Sequence, residues 1–191
     1  MSFYRIFSKI YRQAAKKMCL DCASFIKKGC KILDLGCGAG VDTKELVKRG
    51  FEVTAVDVNN DVKEFFSKKD LSKIKLIIKP IENFKFTNCD LIYAKSSLVF
   101  LSPRKFYKVI EKIKKSLNSR GIFAARLWGK KDSSNKSGRN YKYTFLSLNE
   151  IKNLFDGYKL LEISEHEEDK YSACGQMKHW DFIDVIFQKK G

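Results

Sequence analysis

The sequence lacks an apolar run long enough to cross a membrane. A transmembrane helix needs roughly 18 or more consecutive apolar residues, and no such run occurs among the 191 residues. Polar and basic residues occur throughout the N-terminal stretch, so the apolar core of a secretory signal is missing as well. We therefore expect a cytoplasmic protein without a membrane span.

The six cysteines lack the spacing of a disulfide framework. They are scattered over apolar and turn positions, whereas disulfide scaffolds are small secreted domains. Cys19 and Cys22 form a CxxC pair with Cys30 nearby, but no fourth ligand stands at the spacing of a zinc ribbon or finger. We expect reduced thiols and no metal site.

Acidic residues are few relative to basic ones. The chain has 38 Lys and Arg against 22 Asp and Glu, a formal net charge of +16. Such a charge would attract nucleic acid, acidic substrates or a membrane surface. Nearly all of the basic residues are lysines spread along the predicted helices, without an arginine–aromatic cluster, which favours a solvated lysine face. Nucleic-acid binding stays open as the less favoured alternative.

The most informative stretch is residues 32–43, where a short apolar strand leads into three glycines. The run 32–35 is typical of a buried strand in a parallel sheet. Gly36, Gly38 and Gly40 at alternate positions allow a sharp turn and the close approach of a ligand. Open α/β sheets bind nucleotide-like ligands at such a turn.

A helix is predicted to follow this turn. Asp42 and Glu45 have the spacing of a capping box, with Asp42 as the N-cap. Gly50 stands where a helix C′ residue is expected. The local order is therefore strand, glycine turn and helix.

The turn departs from the dinucleotide-binding fingerprint, which requires glycine at its first, third and sixth positions. These positions hold Gly36, Gly38 and Val41. The carboxylate of Asp34 would be unfavourable beside a pyrophosphate and favourable beside a cation. S-adenosylmethionine carries an ammonium and a sulfonium and no phosphate. The order Asp-Leu-Gly-Cys-Gly-Ala-Gly over residues 34–40 resembles the first motif of class I S-adenosylmethionine-dependent methyltransferases.

The following strand supports this resemblance. Residues 51–56 form a second apolar strand that ends at Asp57, whose carboxylate can accept the ribose hydroxyls of an adenosine. In the family, the turn after the third strand carries an acid for the adenine amine. Pro80 occupies that position here, so Glu82 stands in as the acid and Ile81 supplies the backbone contact. The loop after the fourth strand lines the methionine part.

The resemblance thus implies S-adenosylmethionine as the cofactor and S-adenosylhomocysteine as its product. The cofactor-binding residues that it implies are Asp34, Gly36, Cys37, Gly38, Gly40, Asp57, Val58, Ile81, Glu82, Ala94 and Leu98.

The predicted fold is one domain over residues 1–191. A helical cover over 1–29, without proline in 2–28, precedes a Rossmann-like core over 30–191. The core is a seven-stranded, mostly parallel α/β sheet with helices on both faces. Strands six (158–164) and seven (180–188) lie too close together for a helical crossover, so they form a hairpin and the last strand is antiparallel.

The acceptor is predicted to be a small molecule. After the fourth strand the chain has Ala-Lys-Ser-Ser in place of the Asn-Pro-Pro-Tyr tetrapeptide of methyltransferases that act on nucleobase or glutamine amino groups. This resembles small-molecule methyltransferases, including the tellurite-resistance type. His179 is the candidate general base because its ordinary pKa lies near neutrality. The acidic run 165–169 is expected near the substrate, and the polar loop 129–141 is either a lid or disordered.

Two alternatives remain open from the sequence. The first is a methyltransferase that acts on RNA or protein, which only the positive charge supports. The second is a module that binds S-adenosylmethionine without catalysis. The sequence indicates no oligomeric state.

Overall fold

A computed structural model describes residues 16–137, 142–172 and 175–191. Within these ranges the strands are β1 (Lys31–Leu35), β2 (Glu52–Asp57), β3 (Ile74–Ile78), β4 (Cys89–Lys95), β5 (Leu117–Gly129), β6 (Phe145–Leu146), β7 (Lys159–Tyr171) and β8 (Met177–Gln188). The α-helices are α1 (Lys16–Ser24), α2 (Val41–Lys48), α3 (Lys68–Leu71), α4 (Pro103–Ser116) and α5 (Leu148–Leu154). Short 3-10 helices cover Asn60–Phe65, Ile81–Asn83, Leu98–Phe100 and Ser133–Ser137.

The strands form one sheet in the order β3-β2-β1-β4-β5-β8-β7, and the short β6 pairs with the end of β5. All pairs from β3 to β5 are parallel, whereas β8 runs antiparallel to both of its neighbours. The predicted Rossmann-like sheet with an antiparallel last strand is therefore confirmed. The two-residue β6 is the one strand in the described ranges that the sequence did not predict.

The final hairpin is much longer than predicted. Phe182 on β8 pairs with Trp128 near the end of β5 and with His166 on β7. Beyond this register the hairpin continues as two paired segments, 167–171 and 177–181, which we call the hairpin arm. The residues of β7 are mostly exposed, so its charged side chains stay in water and the strand carries a polar sequence.

Helices cover both faces of the sheet. On one face, α4 buries Phe106, Val109, Ile110 and Ile113, which recur at helical spacing, against the central strands. On the other face, α1 and α2 pack over β1, β4 and β5. Cys19 and Cys22 lie fully buried in this second layer, on the side of α1 that faces the sheet.

The predicted N-cap of α2 is wrong. The helix begins two residues earlier than that N-cap implies, with Gly40 in the left-handed conformation as its N-cap and no side-chain cap. Asp42 lies in the first turn, and its carboxylate accepts the hydroxyl of the buried Tyr93 instead. The prediction for the other end is confirmed, because Gly50 follows the C-cap Arg49 with a φ of 90°.

The capping-box spacing of Asp61 and Glu64 predicts a single helix that continues to about Lys69, and this prediction is also wrong. The chain instead forms the 3-10 helix Asn60–Phe65 and then α3, which starts with its own capping box between Ser67 and Asp70. Phe66 separates the two in an extended conformation with its side chain buried. Burial of this ring thus outweighs the continuation of the helix.

Three further predictions can be compared only with the residues that the structure describes. Helix α1 lies inside the predicted N-terminal cover, but residues 1–15 lie outside the described ranges, so the division into 1–29 and 30–191 stays a prediction. Residues 138–141 of the polar loop also lie outside them, and the lid stays a prediction. None of the helices in the described part of the chain is long and apolar enough to cross a membrane.

Candidate active site

The glycine turn after β1 is held between the ends of β2 and β4. The backbone N–H of Gly36 donates to the carbonyl of Val56 over 2.7 Å. On the other side, Ser97 donates its hydroxyl to the carbonyl of Leu35 over 2.5 Å. A Cβ built on Gly36 would lie 2.3 Å from the Cβ of Ser97, and the glycine has a φ of 78°. Gly36 is therefore required by the loop after β4.

Gly40 is likewise required by a neighbour within the protein. A Cβ on this residue would lie 2.2 Å from the ring of Phe66. The sequence analysis assigned all three glycines to a close ligand, but packing accounts for two of them. Gly38, with a φ of 52°, is the glycine whose N–H points to Asp57 at the mouth of the turn.

Two buried carboxylates flank this turn. Asp57, at the end of β2, is 4% exposed. Its two oxygens accept the backbone N–H groups of Gly38 and Asn59, both over 2.9 Å. These bonds fix the orientation of the carboxylate, whose oxygens can each accept more than one hydrogen bond. This is the arrangement that a ribose diol requires.

Asp34 is the second of these carboxylates and is 2% exposed. It accepts the hydroxyl of Thr43 over 2.5 Å. Burial raises the pKa of Asp34 to about 7, although the bond from Thr43 acts in the opposite direction. A ligand cation beside this group would favour its ionised form. Asp34 and Asp57 together thus fit a ligand that combines a positive charge with a diol, as S-adenosylmethionine does.

The remaining predicted cofactor residues differ in their accessibility. Val58 is 63% exposed beside Asp57, whereas Ala94 and Leu98 have no exposed surface and belong to the core on the α4 face. Ile81 is 9% exposed, and Cys37 is partly buried against Phe66. The side chains of Ala94 and Leu98 therefore support the loop from behind, and their cofactor contacts stay predictions.

Glu82 is engaged by a neighbouring helix. Its carboxylate lies 2.8 Å from the ammonium of Lys105 on α4. Partial burial opposes ionisation, but the bond from Lys105 prevails and lowers the pKa of Glu82. A contact to an adenine amine would share this carboxylate with Lys105, so this role also stays a prediction.

His179 lies on the hairpin arm. Its Nδ1 is 2.9 Å from Asp169 and its Nε2 is 3.5 Å from Glu167. The hydrogen bond that the ring donates to Asp169, together with Glu167, raises the pKa of His179 and favours the protonated ring. Side chains alternate along a strand, so His179 points away from the face that carries Trp180. Its role as general base stays a prediction, and the ring would have to leave these acids to accept a proton.

Sequence reasoning missed a row of buried charges beside the turn. Arg126 on β5 forms a bidentate pair with Asp184 on β8, with both N···O distances at 2.6 Å. Lys95 on β4 stands next to Arg126 in the sheet register, and its ammonium lies 3.8 Å from Asp42. Burial lowers the pKa of Lys95, while Asp42 opposes this change.

These charges face the layer formed by α1 and α2, on the same side of the sheet as Asp34. Charged residues beside apolar runs in three predicted strands were the available signal, because such residues are seldom buried without a partner. Their pairing across strands required the sheet register.

The fold and the site together define a class. A mostly parallel sheet with an antiparallel strand, a glycine turn after β1 and acids at the ends of β1 and β2 are the features of the Rossmann-like methyltransferases that use S-adenosylmethionine. The chain belongs to the tellurite resistance protein TehB family, whose model matches residues 4–179. The predicted resemblance is thereby confirmed.

Two named relatives show how far this similarity extends. The chain is 27% identical over 193 residues to a probable S-adenosyl-L-methionine-dependent methyltransferase TehB from Haemophilus influenzae, covering 96% of this chain and 66% of the relative. It is 26% identical over 99 residues to a magnesium-protoporphyrin O-methyltransferase from Rhodobacter capsulatus, covering 50% of this chain and 44% of the relative. The chain thus spans between about half and two thirds of the length of these relatives.

Solved structures agree on the fold. The crystal structure of TehB from Haemophilus influenzae has a TM-score of 0.78 and 25% identity, over 96% of this chain and 66% of that one. The N-methyltransferase NodS from Bradyrhizobium japonicum, in complex with S-adenosylhomocysteine, has a TM-score of 0.70 and 17% identity, over 97% of this chain and 88% of that chain. The [4+2]-cyclase SpnF has a TM-score of 0.72 and 13% identity, over 93% of this chain and 82% of that chain. The last two similarities concern the fold alone.

Proposed function

We propose that this chain transfers a methyl group from S-adenosylmethionine to a small-molecule acceptor and releases S-adenosylhomocysteine. The observation that carries the proposal is the pair of buried carboxylates, Asp34 and Asp57, on either side of Gly38. A dinucleotide would bring its pyrophosphate to this turn and meet the charge of Asp34. A cationic adenosyl amino acid gains from the same charge.

Different residues of the site hold different parts of the cofactor. Asp57 accepts the ribose hydroxyls, and its backbone bonds keep it oriented before the ligand arrives. Asp34 faces the ammonium of the methionine part, and Gly38 leaves room for the backbone to approach. Ile81 and Glu82 are proposed to meet the adenine.

The cofactor supplies the reactive methyl group on its sulfonium when bound. The protein must align an acceptor atom with that methyl group and keep water away. The carboxyl ends of β4 and β5, with the neighbouring part of β8, provide the acceptor side of the site. There Lys95 is largely buried in an ion pair with Asp42, and Arg126 in one with Asp184. Such fixed charges orient a small polar molecule without the reorganisation that water requires.

A small acceptor is favoured over RNA or protein because the charged groups on the acceptor side are already paired. Arg126 donates through Nε and Nη2 to the two carboxylate oxygens of Asp184, which leaves it poorly suited to a phosphate backbone. The net charge of +16 is the feature that supports a macromolecular acceptor.

The experiment that tests the proposal uses S-adenosylmethionine with a tritiated methyl group. The protein is incubated with pools of small metabolites, of RNA and of protein, and the label in each fraction is measured. We expect label in the small-molecule fraction, and none with the matched Asp57→Ala variant. Label in RNA or protein would contradict the small-molecule acceptor. Binding of the cofactor without any label would instead favour the non-catalytic module.

We also propose that the chain acts in the cytoplasm. Cys19, Cys22, Cys30, Cys37 and Cys89 are free in the described part of the chain. Reduced thiols of this kind are typical of a reducing compartment.

A further inference from the structure

A second cluster, separate from the cofactor turn, holds a cation between two tryptophan rings. The ammonium of Lys178 lies 3.7 Å from the ring centroid of Trp180 and 4.1 Å from that of Trp128. The two rings are 5.9 Å apart and inclined by 76°. We call these two rings the aromatic cage. Perpendicular aromatic faces around one ammonium are the geometry with which proteins bind alkylated ammonium ligands.

A buried carboxylate closes the cage. Asp132 has no exposed surface, and its Oδ1 lies 2.9 Å from the ammonium of Lys178. Its Oδ2 finds no hydrogen-bond partner among the described residues, and neither does the indole N–H of Trp128. Unsatisfied buried polar atoms are costly. One acceptor and one donor therefore lie beside the cation without a partner in the described protein.

The cage adjoins the acceptor side of the candidate active site. Trp128 lies near the carboxyl end of β5 and packs with Val99 in one apolar cluster. Val99 follows closely on Ser97, which contacts the glycine turn. The same loop after β4 therefore separates the cofactor turn from the cage.

We propose that the aromatic cage binds an organic ammonium group of the acceptor, and that Lys178 occupies it as an internal substitute until that group displaces it. The cage anchors the charged group, and the atom that receives the methyl group is a different one. That the ligand is the methyl acceptor rests on the proposed function, whereas binding of an ammonium group does not.

Two properties of Lys178 favour its displacement. The residue lies on the hairpin arm, and its long side chain, 12% exposed, can swing into water. Burial lowers the pKa of Lys178, although Asp132 opposes this change, so the cage disfavours the protonated form of a primary amine. A quaternary ammonium keeps its charge under the same conditions and is less strongly hydrated.

The two tryptophans of the chain are both in the cage, so tryptophan fluorescence reports on this site alone. The protein is titrated without cofactor with choline, and in parallel with 3,3-dimethylbutanol, its uncharged analogue of the same shape, at constant ionic strength. We expect a saturable change with choline only. Lys178→Ala should bind choline about tenfold more tightly than the wild type, because the internal cation is gone.

Lys170→Ala is the matched control, since Lys170 pairs with Lys178 across the hairpin but is exposed. It should bind choline as the wild type does. Lys178→Met, which keeps the apolar stem, replaces Lys178→Ala if the smaller side chain prevents folding, as judged by circular dichroism.

The proposal is overturned if folded wild type and Lys178 variants show no saturable response, or respond equally to the uncharged analogue. Lys178 would then be a structural contact of the arm. Because the titration contains no cofactor, such a failure leaves the methyl-transfer proposal standing. Conversely, choline binding without label in the tritium assay would support the cage and contradict the proposed methyl transfer, and with it the link between the cage and the acceptor.

Discussion

Replacement of Asp34 by asparagine should stabilise this protein at neutral pH and weaken its binding of the cofactor. The carboxylate is 2% exposed and has a pKa of about 7 because of its burial. Asparagine has nearly the same shape as the protonated acid and can still accept the hydroxyl of Thr43. The Asp34→Asn variant therefore keeps the packing and removes the ionisation.

The size of the effect follows from proton linkage. The pKa of Asp34 rises from an ordinary 3.8 to about 7 in the folded protein. Between these two values the unfolded chain binds fewer protons than the folded protein, so the wild type loses stability as the pH rises. At about 1.36 kcal/mol per pKa unit, the full loss amounts to about 4 kcal/mol above pH 7. About 2.5 kcal/mol of it falls between about pH 5 and pH 8.

Urea unfolding of both proteins at several pH values measures this effect. The free energy of unfolding of Asp34→Asn should exceed that of the wild type by a margin that grows by about 2.5 kcal/mol between about pH 5 and pH 8. Asp61→Asn, the same change at an exposed aspartate, is the control for the substitution itself. A margin for Asp34→Asn that stays constant with pH would refute the reasoning.

The affinity of the wild type for its ligand should increase with pH, whereas its stability decreases. A bound ammonium favours the ionised carboxylate, so the affinity of the wild type for S-adenosylhomocysteine should increase as the pH rises through about 7. Calorimetric titration should show weaker and nearly pH-independent binding for Asp34→Asn. A variant that binds as tightly as the wild type at high pH would remove Asp34 from the cofactor site.

Three further predictions concern single residues. Gly36→Ala should lower the free energy of unfolding in urea by about 2–4 kcal/mol, because the added Cβ would meet the loop after β4. Gly157→Ala is the control: it also has a positive φ but lies in open space, so it should cost only about 1–2 kcal/mol. Arg126→Met should cost about 3 kcal/mol by leaving Asp184 unpaired, and Arg126→Met/Asp184→Leu should recover most of it. Asp57→Ala should weaken cofactor binding by about 1–3 kcal/mol in calorimetry, and an unchanged affinity would exclude Asp57 from the site.

The parts of the structure that sequence reasoning predicted are those with local causes. The spacing of Ser147 and Glu150 predicts a capping box, which forms, since both of its hydrogen bonds lie within four residues. The apolar run from Ile74 to Ile78 predicts a strand, and β3 has these bounds because the run is short and clearly limited. The glycine turn and Asp57 were likewise recognisable, because strand, turn and acid follow one another in a fixed order.

The parts that sequence reasoning missed depend on distant partners. The helix expected after Asp61 breaks because Phe66 packs on Gly40, which lies in another part of the chain. The aromatic cage joins Trp128 to Lys178 across the register of β5, β8 and the hairpin arm. No sequence spacing reveals such contacts, because they exist only once the strand order is known.

The central claim concerns which ligand the turn between Asp34 and Asp57 holds. The direct measurement is a calorimetric titration of the intact chain with S-adenosylmethionine and, separately, with NAD, each repeated on Asp57→Ala. We predict that S-adenosylmethionine binds the wild type, that its binding is weakened in the variant, and that NAD gives no heat of binding. Saturable binding of NAD, with none of S-adenosylmethionine, would contradict the account.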